Sequence, residues 1–205
     1  MISAADALER LRNGNRRFVS DEVSEDTLAS REHRAGAATP QNPFAIILAC
    51  SDSRVPTELI FNRGIGDLFV IRVAGNVVAS SQIGSIEYAA KQFGTRLVVV
   101  LGHSNCGAII ATLQELGLKD SHRSPNLRAI VDRIRPALEP ILTDDSDVDD
   151  EAVINDCVRA NVRASVQQLQ NGSLILEQLI DTGDLQVVGA QYSIETGIIE
   201  FFEDD

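Results

Sequence analysis

Four short apolar runs constrain the fold more than any other feature of the chain. They are Phe44-Ala45-Ile46-Ile47-Leu48-Ala49, Leu68-Phe69-Val70-Ile71, Leu97-Val98-Val99-Val100-Leu101 and Leu185-Gln186-Val187-Val188-Gly189-Ala190. They are rich in β-branched residues and apolar at successive positions, so neither face of such a strand meets water. That pattern belongs to strands of a parallel sheet covered on both sides. Between the second and third runs, Ile83 to Ala90 reads as a helix ended near Gly94, and Cys106 to Leu116 reads as another ended by Gly117. Strands alternating with helices predict an α/β fold with a mostly parallel central sheet flanked by helices. A last run, Gly197 to Phe202, follows a turn at Glu195-Thr196-Gly197 and is expected to pair back as an antiparallel edge strand.

The flanking segments fit one domain over residues 1–205, with an N-terminal helix and arm over about 1–42. Ser3 and Asp6 form a helix-start signature, and Leu8, Leu11 and Phe18 share one face. From about Asp21 to Asn42 the chain is polar and weakly periodic. Ser124 to Asp181 is helical in pattern. Leu127, Ile130, Val131 and Ile134 have helix spacing, with Pro136 and Pro140 expected to break it, and Ile154, Val158, Val162, Val166 and Leu169 mark an amphipathic helix. Six of the eight residues from Asp144 to Glu151 are acidic. They lack the glycine and spaced ligands of a calcium loop and read as a solvated turn feeding a helix N-terminus.

Composition removes several classes of function. The formal charge is −12 over 205 residues, with no Lys/Arg cluster, which argues against nucleic acid and anionic membranes as partners. No apolar run approaches the roughly 20 residues needed to span a bilayer, and the N-terminus shows no signal-peptide pattern. A cytoplasmic location is expected. Three cysteines are not a disulfide framework and point to metal binding, catalysis or core filling.

Ligand sites in open α/β sheets lie at the carboxyl ends of strands. The first strand runs into Cys50-Ser51-Asp52-Ser53-Arg54 and the third into Gly102-His103-Ser104-Asn105-Cys106-Gly107. If these strands are neighbours, Cys50, His103 and Cys106 converge. Two thiolates and an imidazole suit Zn²⁺ and leave a fourth tetrahedral position open, the layout of a catalytic site. Asp52 lies within reach of that position, and Arg54 offers a planar fork that keeps a carboxylate ionised. Cys157, within the amphipathic helix and without a partner motif, reads as core.

These residues resemble the β-class carbonic anhydrases. The likeness rests on C-x-D-x-R followed by H-x-x-C, on Gly66 to Asn76, on Leu11 to Val19 and on Gly189-Ala190-Gln191-Tyr192, and it covers nearly the whole chain. It implies a zinc-dependent lyase (carbonate dehydratase) for the reversible hydration of CO₂ to bicarbonate and a proton, by hydroxide carried on one Zn²⁺ per subunit. It implies Cys50, His103 and Cys106 as metal ligands. Asp52 and Arg54 match the catalytic dyad, with Asp52 a fourth ligand in a closed form. Gln41, Phe69, Tyr88 and Gly107 match substrate-pocket residues, Gly107 through a backbone N–H to Asp52. The pocket in this family is completed across a dimer interface, so a homo-oligomer is implied, a dimer or a dimer of dimers. Some members bind a regulatory bicarbonate with Trp, Arg and Tyr. Arg72 and Tyr192 match two of these, and Ile47 stands where the Trp would be. Two other readings use the same metal site: hydrolysis of carbonyl sulfide or carbon disulfide, and a non-catalytic zinc protein with Asp52 as a permanent ligand.

Overall fold

The computed structural model describes residues 2–22, 31–38, 40–116, 124–143 and 146–202. Five strands form one sheet in the order β2-β1-β3-β4-β5. They are β1 (Ala45–Ala49), β2 (Leu68–Arg72), β3 (Leu97–His103), β4 (Gln186–Tyr192) and β5 (Ile199–Phe201). The first four are parallel, and β5 pairs antiparallel with β4, Tyr192 opposite Ile199. The expected architecture and edge strand are both present.

Alternation along the strands divides the core, because successive side chains point to opposite faces. Ile47, Ala49, Val99, Leu101 and Ala190 face one side and pack with Ala7 and Leu11 of α1 (Ala4–Val19) and with Phe61. Ile46, Leu48, Val98 and Val100 face the other. There they meet Ile86 of α4 (Ser80–Phe93), Val162 and Leu169 of α7 (Glu151–Asn171) and Leu176 of α8 (Leu174–Asp181). The remaining helices are α2 (Arg31–Gly36), α3 (Thr57–Ile60), α5 (Gly107–Leu116) and α6 (Pro125–Leu138).

Local chemistry explains the boundaries. Ser3 Oγ accepts the Asp6 N–H at 3.0 Å to start α1. Gly94 ends α4 in the left-handed region at φ 64°. Asp150 caps α7 by accepting from Ala152 N at 2.7 Å, as expected of the acidic turn. One expectation fails: Pro136 does not break its helix, which continues to Leu138. The amide that Pro136 lacks would have met the carbonyl of Asp132, and both residues are solvent-exposed, so water can serve that carbonyl. Pro140 does fall where the helix gives way, in a 3₁₀ turn over Glu139–Ile141. His122, the side chain of His33, Gly117 and Asp144-Asp145 lie outside the described residues.

The topology creates the crevice. The chain leaves β1 toward β2 on one side, and leaves β3 toward β4 on the other. Between the carboxyl ends of β1 and β3 the direction of winding switches, which is where such sheets bind ligands.

Candidate metal centre

Cys50 directly follows β1, His103 is the last residue of β3, and Cys106 directly precedes α5. Parallel pairing of β1 with β3 brings the three together, with their ligating atoms all within 4.8 Å of one another. All three are buried. No other group of three or more His, Cys, Asp or Glu side chains among the described residues is arranged this way.

The donor chemistry fits a metal. His103 is fully buried, and its Nδ1 lies 2.9 Å from the carbonyl of Ser104. A carbonyl only accepts, so Nδ1 carries the proton and Nε2 keeps its lone pair. That Nε2 has no hydrogen-bond partner, although buried polar atoms normally find one. It faces the two sulfurs. Cys50 Sγ accepts the Gly75 N–H at 3.3 Å. The Cys106 thiol beside it, with the Gly75 and Asp52 backbone N–H groups, outweighs burial and lowers the Cys50 pKa to about 4. The Cys106 thiol is pushed up by that contact with Cys50 and by burial. The pair therefore holds one thiolate readily, and a cation between them favours the second.

The turn after Cys50 carries the dyad. Arg54 donates from Nε to Asp52 Oδ1 at 2.9 Å and from Nη2 to Oδ2 at 2.8 Å, and its backbone N–H also reaches Oδ1 at 2.9 Å. The guanidinium holds the Asp52 carboxyl well below the usual carboxylate range. Arg54 is itself tied to the other ligand loop by a 3.2 Å bond from Nη2 to the carbonyl of Asn105, a residue in the left-handed region at φ 53°. Asp52 Oδ2 lies 3.9 Å from His103 Nε2, and Asp52 is not among the side chains whose ligating atoms all lie within 4.8 Å of one another. The Asp52 carboxylate takes its described hydrogen bonds from Arg54, and the Gly107 N–H is not among them.

Other expected site residues lie elsewhere. Arg72, at the carboxyl end of β2, clamps the ligand turn by donating to the Cys50 carbonyl at 3.0 Å and the Asp52 carbonyl at 2.5 Å. Ile47 and Tyr192 sit in the same core cluster, without an indole N–H at that place. Phe69 pairs with Ile46, three residues before the Arg72 end of its strand, so it sits about 10 Å from the metal edge of the sheet. It packs against Tyr88 and Phe93 with ring centroids 6.3 and 6.1 Å away. Tyr88 is 55% exposed. Gln41 is exposed and precedes β1, at the opposite edge of the sheet from Cys50. Within one chain, then, the structure brings Cys50, His103 and Cys106 beside Asp52 and Arg54 and leaves Gln41, Phe69 and Tyr88 apart from them.

Sequence reasoning missed the brace behind Cys50. Asn161 and Ser165 of α7 bond the carbonyls of Gly75 and Asn76 at 2.9 and 3.3 Å. Their signal was present: they fall on the buried stripe of α7 beside Val158, Val162 and Leu169, where a polar side chain needs a partner.

Comparison with known proteins agrees with this geometry. The family model described as carbonic anhydrase matches residues 45–199. Carbonic anhydrase 2 of Mycobacterium tuberculosis is 36% identical over 191 residues, 93% of this chain and 89% of that protein. Among solved structures, the β-carbonic anhydrase CafA of Aspergillus fumigatus superposes with TM-score 0.73 at 26% identity, covering 97% of this chain and 90% of that one. A β-carbonic anhydrase from Sordaria macrospora, described as tetrameric, gives TM-score 0.71 at 22% identity, over 96% of this chain and 97% of that one.

Proposed function

The chain belongs to the β-class carbonic anhydrases, carbonate dehydratases by reaction, and on that premise we propose that it hydrates CO₂ reversibly with one Zn²⁺ held by Cys50, His103 and Cys106. The observation that carries the proposal is the convergence of these three side chains beside an Arg54-held Asp52. The soft donor set and open fourth position suit zinc, which when bound there supplies a Lewis acid that makes water a nucleophile at neutral pH.

The chain's own residues do the rest. Ser104 fixes the His103 tautomer, and the Gly75 N–H stabilises the Cys50 thiolate. Arg54 keeps Asp52 ionised and turned away from the metal position. Asp52 is thereby a hydrogen-bond acceptor that would orient the attacking water or hydroxide, aligning its lone pair toward the carbon. Arg72 holds the turn that carries both Cys50 and Asp52.

The same proposal treats the chain as one catalytic domain working in a homo-oligomer. Gln41, Phe69 and Tyr88 lie too far from their own metal position to touch a substrate there. A second subunit bringing its Gln41, Phe69 and Tyr88 to this crevice completes an apolar CO₂ pocket with one hydrogen-bond donor. No helix among the described residues is long and apolar enough to cross a membrane.

The test is zinc content by mass spectrometry together with stopped-flow CO₂ hydration against pH, run beside carbonyl sulfide as a competing substrate. One zinc per chain and CO₂ hydration abolished in Cys50→Ser are expected. Zinc-loaded protein that hydrates no CO₂ at any pH would overturn the proposal.

A further inference from the structure

The Gly75 turn is held from both ends. Its N–H meets Cys50 Sγ at 3.3 Å, and its carbonyl accepts from Asn161 Nδ2 at 2.9 Å. Gly75 has φ 66° and ψ 20°, a left-handed conformation that glycine adopts without steric cost. It also sits where a Cβ would lie 2.7 Å from Ile134 Cδ1 and 3.1 Å from the Ala108 Cβ. The next residue, Asn76, is left-handed too, at φ 44°, where an L side chain is strained. Its carbonyl takes the Ser165 hydroxyl at 3.3 Å. Two consecutive left-handed residues do not persist unless their surroundings fix them. Here the fixing groups are polar side chains one helical turn apart on α7, both buried.

The seating of α7 makes that reach possible. A Cβ on Gly102 would come within 2.6 Å of Val162 Cγ2 and 2.9 Å of Val158 Cγ1, so the helix lies directly on the β3 backbone beside His103. Val158, Asn161, Val162 and Ser165 share one stripe of the helix. The valines set the depth and the two polar residues address the turn.

We propose that Asn161, supported by Ser165, is a positioning residue for the metal centre, holding the Gly75 turn so that its N–H stays on the Cys50 sulfur. The inference rests on Cys50 being a metal ligand. An N–H bond to a ligating thiolate withdraws charge from the sulfur and fixes its direction, and loss of such an outer partner typically costs about 10- to 100-fold in metal affinity or activity. Neither Asn161 nor Ser165 touches substrate or metal.

Cobalt substitution reads the sulfur directly. Wild type, Asn161→Ala, Asn161→Asp and Cys50→Ser are grown with Co²⁺, the sulfur-to-cobalt charge-transfer band is recorded, and zinc affinity is measured by chelator competition. Asn161→Ala is expected to move the band to longer wavelength, because a thiolate without its N–H partner gives up charge more easily, and to weaken zinc binding at least tenfold. If Asn161→Ala does not fold, Asn161→Asp, which keeps the size and loses the donor, carries the same expectation. An unmoved band in a folded Asn161 variant overturns the proposal, whether or not zinc affinity falls, since a fall alone reports a loosened fold. Cys50→Ser separates the two levels. If it leaves the cobalt spectrum as in wild type, the metal assignment itself fails; if it alters the spectrum while the Asn161 variants do not, only the role of Asn161 falls.

Discussion

Asp52 and Arg54, two residues apart on one turn, are joined at two points, Nε to Oδ1 at 2.9 Å and Nη2 to Oδ2 at 2.8 Å, while Asp52 Oδ2 stands only 3.9 Å from His103 Nε2. The carboxylate thus has one station at the guanidinium and, on the proposed zinc site, a competing one at the metal. Arg54→Ala removes the first. Asp52 is then expected to occupy the fourth metal position of the proposed zinc site, and CO₂ hydration to fall by about 10²–10³-fold, the scale of losing one preorganised hydrogen-bond donor from an active site. Arg54→Lys, which offers a point charge and no fork, should fall between. X-ray absorption at the zinc edge checks the structural half: an unchanged first shell in Arg54→Ala would contradict it.

The same ion pair fixes a pH dependence. Arg54, first through its side-chain bonds, depresses the folded pKa of Asp52 below its unfolded value near 3.9. A carboxylate of that kind stabilises the fold above its unfolded pKa, and the contribution is lost as pH falls through the lower folded value. Between pH 6 and 9 Asp52 stays ionised, so any activity change in that window belongs to the metal centre and not to this carboxylate. Urea midpoints of wild type and Asp52→Asn should run parallel from pH 8 to pH 5, then converge below about pH 4 as wild type loses the contribution. Parallel curves down to pH 2 would refute the assignment.

The strands were legible because β-branched runs buried on both faces have few other solutions, and the convergence of Cys50, His103 and Cys106 was legible because β1 and β3 each run into that cluster. What stayed hidden is what one chain position does to another far away in sequence. Arg72 reads as a strand end, and only the register Ala49↔Arg72 shows that it clamps the turn after Cys50. Asn161 and Ser165 read as gaps in an apolar stripe, and their meaning depends on a turn 86 and 89 residues away. Pro136 is tolerated inside α6 because proline's cost depends on whether water can replace the lost bond, which the residue type alone does not tell. Gln41, Phe69 and Tyr88 match a family pocket by sequence, yet a single chain does not assemble it.

Glycine in the middle of α1 offers a test of packing against propensity. A helix interior favours Ala over Gly by about 1 kcal/mol. At Gly14, however, a Cβ would lie 1.9 Å from the Phe61 carbonyl oxygen, and neighbouring Asn15 bonds Ile60 O, Gly197 O and Ile199 N. Gly14→Ala is therefore expected to destabilise, by about 1–3 kcal/mol for forced overpacking, and to lower the thermal midpoint by several degrees. Gly84 in α4 has open space around its Cβ position, so Gly84→Ala is the control, neutral or stabilising. Calorimetry finding Gly14→Ala as stable as wild type or more so would show that α1 is not seated this tightly.

A pocket shared between subunits makes a prediction that no single-chain pocket can meet. Gln41 precedes β1 while Cys50 follows it, and the five residues of β1 between them span about 16 Å, so a Gln41 side chain does not reach its own metal. Gln41 is exposed, so Gln41→Ala should fold normally and lose about tenfold in activity, the worth of one hydrogen bond to a reacting group. Cys50→Ser should be inactive. In a hybrid dimer of the two variants, the chain with Gln41→Ala keeps an intact metal site, and its partner, with Cys50→Ser, still supplies Gln41 to that site. Random 1:1 association makes half the dimers hybrids with one complete site in two, so the mixture should recover about a quarter of wild-type activity per chain. A pocket built within one chain predicts only the mean of the two parents, about a twentieth. Co-refolding the two variants and measuring CO₂ hydration decides between a quarter and a twentieth. The lower value would place Gln41 outside the reacting site of its partner and would remove the reason for requiring an oligomer.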